Sequence, residues 1–98
     1  MASYRITCVV KPNRTSTHEH ITHLGNTQQG WMMTREKVIQ YIDDGTHSFY
    51  TEDSAGHRAA ILVVRESGKQ PYLRTAANGR WTDNLLSLED CGASCRLI

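Results

Sequence analysis

The stretch His57-Arg58-Ala59-Ala60-Ile61-Leu62-Val63-Val64-Arg65-Glu66 decides how the rest of the chain is read. An apolar run of this length, rich in β-branched residues and closed by charge at both ends, reads as a strand rather than a helix. Ala59, Ile61 and Val63 fall on one face and Ala60, Leu62 and Val64 on the other. With both faces apolar, the strand is expected at the centre of a sheet. Upstream, Asp53-Ser54-Ala55-Gly56 is a turn that follows a strand over 46–52. Downstream, Ser67-Gly68-Lys69 turns the chain into a strand over 71–77. Asn78-Gly79 then tolerates the positive φ of a type I′ turn and returns the chain as a last strand over 80–86.

Outward toward the N-terminus lies one helix, Arg35 to Asp44, with Val38, Tyr41 and Ile42 on a single stripe and Ile39 on its flank. Thr34 is its N-cap, Glu36 suits the positive first turn, and Gly45 ends it in the left-handed conformation. Tyr4 to Lys11 alternates as a single strand, Tyr4, Ile6, Cys8 and Val10 pointing one way, and Pro12 stops it. Residues 18–24 are too polar for a helix, and Gly25 to Gly30 reads as a flexible connection before Trp31. The predicted fold is α+β: an antiparallel sheet of about five strands with one helix packed on a face, in the order β-loop-α-β-β-β-β. One domain over 1–98 is expected, its core at about 4–90 and a tail at 91–98.

Eleven Lys and Arg stand against ten Asp and Glu, a formal charge of +1, which removes the broad basic footprint that long nucleic acid needs. No apolar run is long enough for a membrane span, and no signal-like segment opens the chain, so a cytoplasmic setting is expected. There the odd set Cys8, Cys91 and Cys95 should stay as thiols. A single Phe, two Trp and four Tyr make a thin core with amphipathic filler, which favours a homodimer or a bound ligand.

Four further pieces carry a resemblance. They are His18-Glu19-His20-Ile21-Thr22-His23-Leu24-Gly25, Trp31 with Thr34, Ser48-Phe49-Tyr50, and Tyr72-Leu73-Arg74-Thr75 followed by Gly79 and Asp83-Asn84-Leu85-Leu86. Together, over about Tyr4 to Cys91, they resemble a family of small standalone bacterial proteins classed as a domain of unknown function. Its members usually carry an acidic residue where Asn78 stands and a proline in place of Glu89. The resemblance implies one compact domain and no catalytic residues.

The residues themselves offer two constellations. His18, His20 and His23 suit a transition metal by type, but on a strand His23 leaves the face of the other two, so a metal-dependent hydrolase with Glu19 or Asp83 as base is the lesser reading. Cys91 and Cys95 lack the spacing of a zinc knuckle. No phosphate loop, nucleophile elbow or dinucleotide fingerprint occurs, and no cofactor is called for. The hairpin from Tyr72 to Asn84 sets an arginine fork beside aromatic planes. The favoured reading is a non-enzymatic protein that sequesters a small anionic ligand such as a nucleotide. Arg74 and Arg80 would hold phosphate, with Thr75 beside them, and Tyr72 or Trp81 would stack on the base. Asp83 and Asn84 would read polar edges, while His18, His20 and His23 supply further donors. A protein-interaction module, with Tyr50 and Trp81 exposed at a sheet edge, is the third reading.

Overall fold

Alternation along β-strands sets the layers of this molecule. A computed structural model describes residues 2–12, 18–77, 79–82, 84–93 and 95–98, with the backbone alone at residue 19. Its strands are β1 (Ala2–Arg5), β2 (Cys8–Val10), β3 (His23–Asn26), β4 (Trp31–Thr34), β5 (His47–Glu52), β6 (Arg58–Val64), β7 (Tyr72–Ala77), β8 (Arg80–Thr82), β9 (Glu89–Asp90) and β10 (Arg96–Leu97). One helix, α1 (Arg35–Asp44), follows β4, and 3-10 turns occupy His18–His20 and Asn84–Ser87.

Two mixed five-stranded sheets replace the single antiparallel one that the sequence suggested. The first runs β1-β5-β6-β7-β8 and the second β10-β4-β3-β2-β9. Parallel pairings, β1 with β5, β2 with β9 and β4 with β10, are the departure. All three join segments distant along the chain, which local turn signals do not reveal. The meander from β5 to β8 is antiparallel as read, and β6 is the central strand of the first sheet.

The expected single strand over Tyr4 to Lys11 is two strands in different sheets. Ile6 donates its N–H to Tyr50 O in the first sheet, and Thr7 donates to Gly25 O in the second. The core side changes at this crossing, from Tyr4 and Ile6 to Val9, while Cys8 turns to the far side of the second sheet. Gly25 to Gly30 is likewise no loose connection. It contains the end of β3 and a tight hairpin turn in which Gly30 has φ +77° and Asn26 accepts the N–H of Gln29 on its side-chain oxygen.

The sheets bury one another's inner faces. Phe49, Ile61 and Leu73 from the first meet Val9, Leu24 and Met33 from the second, with Ile6, Ile21, Val38 and Leu85 closing the layer. Helix α1 touches strands of both sheets through the Val38 stripe. Its ends are those predicted: Thr34 Oγ1 accepts Lys37 N–H, and Gly45 at φ +71° donates to the carbonyls of Tyr41 and Ile42. Asp43, unfavourable for the helix dipole, forms an ion pair with Arg65.

The last residues are part of the fold rather than a tail. β9 lies at one edge of the second sheet beside β2, and β10 at the other edge beside β4. Between them, Cys91 and Cys95 gather with Cys8 on the sheet's outer face, and Cys91 forms a disulfide with Cys8. The expectation of three thiols is corrected in this structure: only Cys95 among them keeps its thiol. Spacing along the chain gave no hint, because the pairing depends on β9 lying parallel to β2.

Candidate functional site

Strand register places a row of residues across the outer face of the first sheet. Tyr50 opposes Ala60, Ala60 opposes Ala76, and Ala76 opposes Trp81. Neighbouring strands lie about 4.8 Å apart, so two aromatic side chains stand about 14 Å apart over a floor of alanine. Each aromatic carries an arginine. The Arg58 guanidinium lies 4.5 Å from the centroid of Tyr50 and that of Arg74 lies 5.9 Å from Trp81. Leu62, which opposes Arg74, is 41% exposed and Trp81 is 49% exposed. The sequence expectation that β6 is covered on both sides thus fails on this side: Ala60 and Leu62 face solvent.

Electrostatics on this face favour an anion. Arg5, the parallel neighbour of Tyr50, bonds the Glu52 carbonyl at 3.0 Å and lies 3.7 Å from its carboxylate. Arg58 Nε donates to the same carboxylate at 2.7 Å, which holds Glu52 below the usual carboxylate range. Arg74 Nε donates to Thr82 O at 3.4 Å. Of these side chains, three are cations and one is an anion.

The residues named from sequence divide between two faces. Tyr72 and Arg74 share the outer face by alternation, and Trp81 joins them through Ala76. Tyr72, however, is buried, with its hydroxyl donating to Glu66 Oε1, so Trp81 is the ring available for stacking. Thr75 points inward and is fully buried, its hydroxyl engaged with Thr82, which removes it from any ligand. Arg80 is exposed but alternates to the side opposite Trp81, so Arg74 and Arg80 do not form one clamp. Asn84 donates to Thr51 Oγ1 at 3.4 Å, and Thr51 is buried on the core side. The same period of two that places Arg74 and Trp81 together excludes Thr75 and Arg80. Asp83 lies outside the described residues.

The histidines are also divided. His18 is buried in a 3-10 turn that packs against β7, whereas His20 is exposed. His23, on β3, shares a 2.9 Å hydrogen bond between its Nδ1 and Thr22 Oγ1. Among the described residues, none of these histidines belongs to a metal-competent trio, and the one such trio is Cys8, Cys91 and Cys95. Arg5, Arg58, Ala60 and Leu62 escaped the sequence reading. Cross-strand register, not local spacing, brings them to the aromatic row.

Residues 5–89 match the family described as "Protein of unknown function (DUF3892)", and the chain belongs to it. No curated protein and no solved structure matches the chain. Among the described residues, no helix is long and apolar enough to cross a membrane.

Proposed function

Taking membership of DUF3892 as the premise, we propose that this protein is a non-enzymatic binding protein whose outer sheet face takes a planar anionic ligand of the nucleotide class. The observation that carries the reading is the pairing of Arg74 with the exposed ring of Trp81, on an open face whose alanine floor leads to Tyr50 and Arg58. A base lying on that floor stacks against Trp81, and the phosphate meets the guanidinium of Arg74. A cytoplasmic setting and a homodimer belong to the same reading. Exposed Leu97 and Ile98, at the β10 edge of the second sheet and away from this face, give a second copy apolar surface to cover.

A thermal-shift screen with mononucleotides, cyclic dinucleotides and inorganic phosphate tests the proposal. A nucleotide at saturating concentration should raise the melting temperature by several degrees, consistent with about 2.7 kcal/mol at a hundredfold excess over Kd. Inorganic phosphate alone should give a smaller shift. Arg74→Ala should fold and lose the nucleotide shift. An undiminished shift in that variant, or none with any nucleotide in the wild type, would remove the assignment.

A further inference from the structure

On the outer face of the second sheet, Cys8, Cys91 and Cys95 bring their sulfur atoms within 4.8 Å of one another. All three residues are buried, and Val10 and Met32 pack against them. Two distant strands and a turn build this group. Cys8 comes from β2, Cys91 follows β9, and Cys95 precedes β10. Convergence of three buried sulfurs from three parts of the chain is more than one disulfide requires. A structural bridge is complete with Cys8 and Cys91, and Cys95 adds a buried thiol beside it.

We propose that, in the reduced protein, these three sulfurs form a trigonal site for a single Cu(I) ion, and that the Cys8–Cys91 disulfide is the oxidised, ion-free state of that site. The donor chemistry selects the ion. Thiolates are soft ligands, and soft ligands favour Cu(I) or zinc over harder ions. Zinc takes a fourth protein donor in structural sites and water in catalytic ones. Here the sulfurs are enclosed, and among the described residues no histidine or carboxylate joins the trio. Metal–sulfur bonds of about 2.3 Å in a trigonal set put the sulfurs about 4.0 Å apart; all three already lie within 4.8 Å of one another, and reduction need only let the two bridged sulfurs part.

The steps balance. A phosphine or dithiol reductant delivers two electrons to the Cys8–Cys91 bond, and two protons from water complete the thiols. Cu(I) then binds as the three thiols release their protons to water, and no electron moves in that second step. Affinity should therefore rise with pH. Oxidation by a disulfide-bearing oxidant reverses the sequence: the sulfur–sulfur bond reforms and the ion leaves. Cys91 lies past the end of β9 and next to Gly92 at φ +65°, so its sulfur can shift without unpairing a strand.

The test uses protein reduced anaerobically with a phosphine and titrated with Cu(I) against a chromophoric Cu(I) chelator, with circular dichroism recorded throughout. The expected result is one equivalent of copper withheld, accompanied by ultraviolet thiolate-to-copper charge-transfer absorption. Oxidised protein should withhold none. Cys95→Ser leaves the residues of the disulfide in place, and its reduced form should bind at least about tenfold more weakly. Copper left entirely with the chelator by reduced wild-type protein would overturn the proposal, as would equal retention by Cys95→Ser. Should reduction unfold the chain, refolding by one equivalent of Cu(I) supports the site, and failure to refold it refutes the site.

Discussion

The two sheets share a core and differ in what covers their outer faces. On the first, Tyr50, Ala60, Ala76 and Trp81 form a row in which Ala60 and Trp81 are exposed and Tyr50 and Ala76 half-buried. On the second, Cys91 and Cys95, from between β9 and β10, pack with Cys8 and Met32, and Cys91 is bonded to β2. Both outer faces carry apolar side chains, so composition alone does not separate them. What separates them is whether the chain spends residues on a cover. An apolar face with a cover belongs to the fold, whereas one without a cover, rimmed by arginine, is available to a ligand.

Substitutions on the two faces of the first sheet sharpen the contrast most. Leu73 is buried between the sheets, and Leu73→Ala should cost about 2 to 5 kcal/mol in denaturant unfolding. Leu62, on the open face, should lose no more than about 1 kcal/mol as Leu62→Ala. Equal losses would mean that the first sheet is covered after all. The cover on the second sheet is tested by replacing Cys8 and Cys91 together with alanine. Loss of the bridge should cost about 2 to 4 kcal/mol under oxidising conditions and far less relative to reduced wild type. A double variant as stable as the oxidised parent would show that the bridge does not hold the cover.

At the junction of the two sheets, Thr34→Ala removes the acceptor for Lys37 N–H and should cost about 1 kcal/mol. The smallest effect concerns acid stability at the edge of the open sheet. Hydrogen bonds from Tyr72 and then Lys69 hold the Glu66 carboxyl below its ordinary value near 4.5. Its contribution is present above that value and is lost as pH falls through the lowered one. Tyr72→Phe should move the Glu66 titration, followed by carboxyl NMR, back toward the ordinary value. An unmoved titration would place the cause elsewhere.

Local signals in the sequence were reliable where the structure is local. Thr34 and Gly45 marked the helix ends, and Gly79 at φ +76° lies in the β7–β8 connection. β8 stops at Thr82, however, because residues 84–87 form a 3-10 turn. Long-range pairing was not legible. Nothing near Ile6 and Thr7 says that the chain leaves one sheet for the other, and that step carries Cys8 away from the core that Tyr4 faces. For the site, alternation correctly joined Arg74 to the outer face, and the row through Ala76 added Trp81. Applied strictly, the same alternation would have dropped Thr75 and Arg80. Tyr50, expected exposed at a sheet edge, is half-buried on the interior strand β5, and register between β5 and β6 brings it and Arg58 to the row.

The central claim is that ligand meets the uncovered face of the first sheet and leaves the covered face of the second untouched. Titration of the best-binding nucleotide into isotope-labelled protein, followed by NMR, tests it directly. Shifts confined to the Tyr50, Ala60 and Ala76 amides and the Trp81 indole, with Cys8 and Met32 unmoved, are the predicted result. Shifts centred on Cys8 and Met32, or none at the Trp81 indole, would contradict it.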